Sequence, residues 1–308
     1  MNLQEKPAMD VSIVVPARNE EAMIGRVIDA LRRLQPAVAE IIVVDDGSSD
    51  RTAQIAREAG ATVVDHPVSR GYGASIKSGM LAARTTLIVT VDGDGQHRAS
   101  DVPKLLASAH HYDLVSGERA HWLHSATWRL PGKWLLTRLG SYLVKRQIPD
   151  LNCGLRVYRR EVILRYLHLC SDAYSFTATS VLLLLSRGDR VAFVPVDVTP
   201  ASSQGRVTVR TGLDTLVLLL RMATLLDPLR VFLPISSIVF GLGVLWGVPY
   251  ALAGRGVSVG ALLFLLTGIV LFAVGLLSDQ ISQLRQERLD LQRDQAAREV
   301  KEKETVPW

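Results

Sequence analysis

The sequence predicts an α/β domain on a mostly parallel sheet, followed by two helices long enough to cross a membrane. Three observations carry this. Runs rich in Val and Ile alternate with stretches of helical periodicity through the first 120 residues. These apolar runs break off in carboxylates, glycine or proline, so polar groups gather at one end of the strands. Finally, residues 231–254 and 256–278 contain no Asp, Glu, Lys or Arg, with only Arg255 between them; each exceeds the roughly 20 apolar residues a spanning helix needs. A chain of 308 residues with 48% hydrophobic and 21% charged side chains is neither disordered nor uniformly membrane-embedded.

Taken in order, "VSIVVPA" (11–17) reads as a buried strand stopped by proline. Met23, Ile24, Val27, Ile28, Leu31 and Leu34 fall at helical spacing over residues 20–34. "EIIVVDDGS" (40–48) is a second strand, and the helix after it has Ser49 or Asp50 as its cap and Gly60 as its terminator. "ATVVDH" (61–66) is a third strand; the turn "RGYGAS" leads into a helix near 74–83, and "TLIVTVD" (86–92) is the fourth strand. Nearly continuous apolar strands separated by helices imply a parallel sheet covered on both faces. Ligands then bind beyond the carboxyl ends of the strands, where Pro16 to Glu20, Asp45–Asp46 and Asp92–Asp94 stand. "DLVSGER" (113–119) is a further strand, and "RVAFVPVDV" (190–198) is an edge strand, because Pro195 cannot donate to a ladder. Between them, residues 121–147 set Trp122, Trp128 and Trp134 among Arg129, Lys133, Arg138, Lys145 and Arg146.

The organisation expected is a domain over 1–205, an interfacial amphipathic helix over 206–230, two spans within 231–278 and a charged tail over 279–308. Arg210, Arg221 and Arg230 precede the first span and Arg285, Arg288 and Arg293 follow the second, which places the domain and both termini in the cytoplasm of a multi-pass membrane protein. The opening "MNLQEKPAMD" has no apolar export segment, and Cys153 and Cys170 are expected reduced. The net charge of +5 suits an anionic membrane face rather than nucleic acid. The charged tail is a solvated or self-associating helix, so a homo-oligomer is compatible with it.

"VTVDGDGQH" carries the chemistry. Asp92 and Asp94 are two apart, so an extended backbone turns both carboxylates to one side, and the glycines let a ligand approach. Two hard oxygen donors suit Mg²⁺ or Mn²⁺ carrying a substrate diphosphate. The alternatives are a polar turn or a calcium loop; the latter fails because position 12 from Asp92 is Pro103. Asp46, at the second strand's tip, can cap a helix or accept from a base N–H or a ribose hydroxyl. "RGYGASIKSG" (70–79) lacks the phosphate-loop spacing.

Together, "VSIVVPARNEE", "EIIVVDDGSSDRT", "RGYGASIKSG" and "VTVDGDGQH" resemble a family 2 glycosyltransferase of GT-A-type, Rossmann-like fold. "DLVSGER", "DLNCGLRVYRREV" and "VAFVPVDV" are similar to its dolichyl-phosphate mannose synthase-like branch, which uses polyprenyl phosphates. The resemblance implies that Pro16, Arg18, Glu20, Val44, Asp46 and Gly93 help hold a nucleotide-diphosphate sugar. It further implies that Asp92 and Asp94 bind metal with Gln96 as a third contributor, and that Arg119 reaches the phosphates. Lys133 and Thr137 would hold the acceptor phosphate with Arg119. The implied reaction moves a hexose to a polyprenyl phosphate with inversion, and the anionic acceptor needs no catalytic histidine, leaving His66 and His97 structural. Arg18 stands where relatives carry Tyr, and "PASSQGRVTVR" (200–210) lacks their Ser-Lys. Alternatives are a carbohydrate acceptor, against which stand two spans that leave no translocation pore and the stretch "SDAYSFTATS" (171–180), whose only acid is Asp172, and a catalytically silent nucleotide-sugar-binding membrane protein.

Overall fold

The computed structural model describes residues 9–119, 138, 140–197, 227–254, 256 and 258–305. The chain divides into two units, 1–215 and 216–308.

The first unit is a seven-stranded sheet with the order β3-β2-β1-β4-β6-β5-β7. Its strands are β1 (Met9–Ala17), β2 (Val38–Asp45), β3 (Thr62–Asp65), β4 (Leu87–Thr90), β5 (Leu114–Arg119), β6 (Arg156–Arg159) and β7 (Val191–Val196). Neighbours are parallel except at β6, which runs antiparallel to both β4 and β5. The central strands are apolar on both faces, and Ile13, Val14, Val15, Val43 and Val44 are fully buried, as a sheet covered from both sides requires. β7 is an edge strand, where Pro195 costs no ladder bond.

Helices α1 (Ile24–Arg32), α2 (Thr52–Glu58), α3 (Tyr72–Ala82) and α4 (Val102–Ser108) follow β1 to β4. On α1 the buried residues are Ile24, Val27, Ile28 and Leu31, the stripe read from the sequence. At α2 the Asp50 carboxylate accepts the Thr52 N–H at 3.0 Å, and Gly60 follows the helix at φ +81°. α5 (Arg160–Tyr166) and α6 (Phe176–Ser186) complete the unit. Every residue of α6 from Phe176 to Leu184 is buried, so it is a core helix with no polar stripe to mark its period. The antiparallel β6, together with α5 and α6, is absent from the sequence reading: four residues flanked by arginines give no apolar run to detect. Arg156, on β6, is fully buried, its guanidinium donating to the Leu151 carbonyl at 2.9 Å and to Ser180 Oγ at 3.0 Å.

The second unit contains α7 (Pro228–Leu252) and α8 (Val259–Thr305), an antiparallel helical hairpin whose second helix runs on from its apolar stretch into the charged tail. Leu245 is 72% exposed and Leu263 65%, which a soluble core would not tolerate and a lipid environment would. The two helices meet at glycines: a Cβ at Gly243 would lie 2.9 Å from the Leu265 backbone, and one at Gly268 would lie 2.8 Å from Phe240. The expected interfacial helix lies outside the described residues up to position 226.

Helix α3 lies close on the sheet because Gly79 has no side chain; a Cβ there would sit 2.3 Å from Val14 Cγ1 and 3.1 Å from Val44 Cγ2. Both neighbours are fully buried and have no room to move. Gly79→Ala is therefore expected to cost about 1–3 kcal/mol of stability, read as a lowered thermal midpoint in detergent. An unchanged midpoint would mean that helix and sheet are not in this contact.

Candidate active site

Strand order reverses at β1, which pairs with β2 on one side and β4 on the other. A crevice opens at such a switch point beyond the carboxyl ends. The segments leaving β1, β2 and β4 there are Arg18–Glu21, Asp46–Arg51 and Val91–His97.

The first two segments interlock. Asn19, held at φ +55°, accepts the Ser49 N–H at 2.9 Å on its side-chain oxygen and donates its own N–H to Ser48 Oγ at 2.9 Å. The Glu20 N–H reaches Thr52 Oγ1 at 2.8 Å, and the Glu21 N–H reaches Asp50 at 3.2 Å. Asp45 takes the Ser48 N–H and hydroxyl. Asp46 is a buried hub: its carboxylate bonds His66 Nδ1 (2.8 Å), Ser69 Oγ (2.7 Å) and the N–H groups of Arg70 (2.8 Å) and Gly71 (3.0 Å). Burial opposes its charge, but these four partners hold the carboxyl well below the usual range. His66 passes the link on to Ser78 Oγ at 2.9 Å.

Asp92 is clamped at both oxygens. Tyr72, at the start of α3, donates its hydroxyl to Oδ1 at 2.8 Å, and His97 Nε2 lies 3.2 Å from Oδ2. Burial opposes ionisation, yet His97, Tyr72 and the charge of Arg119 hold this carboxyl down. For Tyr72, burial and the neighbouring Asp92 charge push the phenol well above its ordinary range, so it stays a donor. Asp94 is shifted the other way: burial and the Asp92 charge outweigh the Gln96 N–H it accepts at 3.0 Å. Glu20 is also raised, by burial and by the charges of Asp94 and Asp50. Backbone closes in on this cluster. A Cβ on Gly154 would lie 2.1 Å from Asp92 Oδ2, and one on Gly93 would lie 3.0 Å from the Pro16 carbonyl.

Arg119, at the tip of β5, forms a two-pronged bridge to Asp150, Nε to Oδ2 at 2.6 Å and Nη2 to Oδ1 at 2.9 Å. Asp150 is 3% exposed and also accepts the Asn152 N–H. The arrangement fixes a guanidinium near Asp92 with donors to spare.

The fold thus brings together Pro16, Glu20, Asp92, Gly93, Asp94, Gln96 and Arg119. Arg18 is exposed at the rim. Two of the residues expected at the nucleotide sugar stand in other surroundings. Val44 is fully buried and packs beneath α3 beside Gly79, because β2 ends one residue later; its side chain lines the core and not the crevice. Asp46, expected to meet base or ribose, gives its carboxylate to four donors of the 66–71 segment. Lys133 and Thr137 lie outside the described residues. The sequence reading did not single out Tyr72 or Asp150, and it gave His97 no partner. Asp150 stands in the quoted "DLNCGLR" stretch, and its signal was that acid itself.

The residues present fit a divalent cation. Burial, joined by the Asp92 charge, raises Asp94, and a cation beside the pair would relieve both. Among the described residues no three His, Cys, Asp or Glu side chains converge as a complete ligand set. That suits an ion such as Mg²⁺ or Mn²⁺, which shares its coordination with a substrate phosphate rather than a closed protein cage.

Residues 12–167 match the family model described as glycosyl transferase family 2, and residues 227–284 match one described as the GtrB C-terminal hairpin. A dolichyl-phosphate hexose transferase of Haloferax volcanii is 34% identical over 61% of this chain and 82% of its own. An undecaprenyl-phosphate 4-deoxy-4-formamido-L-arabinose transferase of Pseudomonas aeruginosa is 30% identical over 89% of this chain and 85% of its own. The crystal structure of a glucosyl-3-phosphoglycerate synthase from Mycobacterium tuberculosis, in complex with Mn²⁺, UDP-glucose and phosphoglyceric acid, shares the fold. Its TM-score is 0.58 at 24% identity, over 69% of this chain and 79% of that one.

Replacing Asp46 with Ala strands four donors around a buried gap and is expected to cost at least about 3 kcal/mol, measured by chemical or thermal unfolding. The depressed folded pKa means that its contribution is complete above the unfolded value of about 4 and drains away as pH falls below it. A plot of thermal midpoint against pH should therefore drop less steeply below about pH 4 for Asp46→Asn than for the natural chain. Equal slopes would show that Asp46 is not this hub.

Proposed function

Because the chain belongs to glycosyl transferase family 2, we propose that this glycosyltransferase moves a hexose from a nucleotide-diphosphate sugar to a polyprenyl phosphate at a membrane. The observation that carries the proposal is the carboxylate pair Asp92–Asp94 at the sheet's switch point, with the Asp150-held Arg119 beside it. The two relatives are named for transfers to dolichyl and undecaprenyl phosphates, which supports the acceptor class.

Asp92 and Asp94, with Gln96 alongside, would hold Mg²⁺ or Mn²⁺, which neutralises charge on the leaving diphosphate. Tyr72 and His97 keep Asp92 ionised and oriented for that task. Arg119 points its remaining donors at the phosphates, and its bridge to Asp150 removes the entropy of positioning a long side chain. The acceptor is already an anion, so the site needs no strong general base. Direct displacement from the face opposite the diphosphate inverts the anomeric centre. Lys133 and Thr137 are assigned, with Arg119, to the acceptor phosphate. Pro16, Arg18, Glu20 and Gly93 are assigned to the nucleotide sugar, with Val44 and Asp46 beside them and the Asp46 carboxylate holding the 66–71 segment. A carbohydrate acceptor is disfavoured because Asp172, the acid of the 171–180 stretch, is paired with Lys77 Nζ at 2.6 Å.

The hairpin anchors the enzyme as two spans, with the domain and both termini on the cytoplasmic side, following the arginines that flank it. An expected division into a domain over 1–205, a surface helix over 206–230, spans within 231–278 and a tail over 279–308 belongs to the same proposal.

The test offers the detergent-purified protein radiolabelled GDP-mannose and UDP-glucose with a polyprenyl phosphate and Mn²⁺ or Mg²⁺. Label is expected to enter the organic phase, to stop with EDTA, and to fall at least about a hundredfold in Asp94→Asn while the thermal midpoint holds. Unfolding of Asp94→Asn would instead make the pair a structural turn. Asp150→Asn is expected to lower turnover about tenfold or more by releasing Arg119, again without unfolding; full activity there would remove Arg119 from the proposed machinery.

A further inference from the structure

Tyr174 stands out among the aromatic residues near the crevice. It is 82% exposed, although its ring lies on Tyr72 with centroids 5.1 Å apart and planes 4° from parallel. One face of the ring is therefore covered and the other is open. Its position is built by backbone. The Asp172 carbonyl accepts the Ala74 N–H at 3.0 Å, and Lys77 Nζ reaches both the Cys170 carbonyl and the Asp172 carboxylate at 2.6 Å. Glycines at 71 and 73 let the two segments touch: a Cβ on Gly73 would lie 2.3 Å from the Ser171 carbonyl, and one on Gly71 would lie 2.9 Å from that of Asp172. Ser175 Oγ donates to Ser171 Oγ at 2.6 Å and closes the turn.

The same stack is fastened to the metal-binding carboxylates, since the Tyr72 hydroxyl holds Asp92. The stack therefore stands beside the Asp92 and Asp94 carboxylates proposed to hold the donor's diphosphate. Those are acceptors, and they suit a ligand that offers O–H donors at its rim and C–H groups on its face. The hexose is bonded directly to the diphosphate and carries such donors all round, whereas the base is separated from the diphosphate by the ribose.

We propose that Tyr174 is the platform on which the hexose of the donor stacks, with the Tyr72 ring as its rigid backing. The inference rests on the donor class proposed above and adds a residue that selects for the sugar rather than the nucleotide. Because Tyr72 also touches Asp92, the platform and the metal site are set by one side chain, so the sugar's register relative to the diphosphate is fixed.

The test is calorimetric titration of the full-length protein in detergent with Mn²⁺, using UDP, UDP-glucose, GDP and GDP-mannose against the natural chain, Tyr174→Ala and Tyr174→Phe. For the base that binds, Tyr174→Ala is expected to weaken the sugar nucleotide about tenfold while leaving the nucleoside diphosphate within about twofold, and Tyr174→Phe is expected to behave as the natural chain. Equal weakening of both ligands in Tyr174→Ala would overturn the proposal in favour of base stacking or a structural role. No change in either would leave the ring to the acceptor or to solvent, which also overturns it, as would Tyr174→Phe behaving like Tyr174→Ala. If the natural chain binds none of the four nucleotides, the donor reading itself fails and this inference falls with it.

Discussion

Two carboxylates follow one buried strand into surroundings where burial opposes their charge, and much of the local architecture answers that cost. Asp92 follows β4 with both oxygens occupied by Tyr72 and His97, whereas Asp94 has only Gln96 to share its charge. The result is an asymmetric pair, one carboxyl held down and its neighbour pushed up. Such asymmetry keeps one acid ionised without a cation and leaves the other to gain most when a cation arrives. The bare backbone of Gly154 against Asp92 belongs to the same arrangement, since any side chain there would displace the carboxylate.

Around that pair the loops are made stiff by bonds to one another rather than by regular structure. Asn19 joins the β1 and β2 exits, and Asp46 joins β2 to the segment that begins α3. From α3, Tyr72 returns to Asp92, so a chain of contacts runs from Asp46 through Gly71 and Tyr72 to the Asp92 carboxylate. Buried polar networks of this kind are stabilising when complete and costly when one member is lost. That stiffness is what a site relying on position and charge, rather than on a strong base, requires.

The hairpin obeys a different solvent. Its helices expose leucine, isoleucine and phenylalanine outward and reserve glycine for their mutual contact, where Gly243, Gly268 and Gly275 admit Leu265, Phe240 and Phe232. In lipid the outward apolar surface costs nothing, and close packing at small residues is what joins two helices. Pro234 and Pro249 within α7 are tolerated for the same reason.

The sequence by itself determined the parallel core from β1 to β4, the helix stripe Ile24–Leu31, the edge position of β7 and the two apolar helices, because each leaves a periodic or compositional trace within one segment. It also pointed to Asp92 and Asp94, since carboxylates between glycines at a strand end are a local pattern. Only the tertiary structure decided the rest. The antiparallel β6 is too short to mark itself, and α6 is buried all round. Val44 and Asp46 look alike as residues near a strand tip, but Val44 still lies within β2 and packs into the core, whereas Asp46 lies just past its end and is consumed by partners 20 to 25 positions away. Tyr72, Asp150 and Tyr174 acquire their meaning from contacts across 20, 31 and more residues of chain. No local pattern reports such a contact, because it exists only once the sheet has brought the strand ends together.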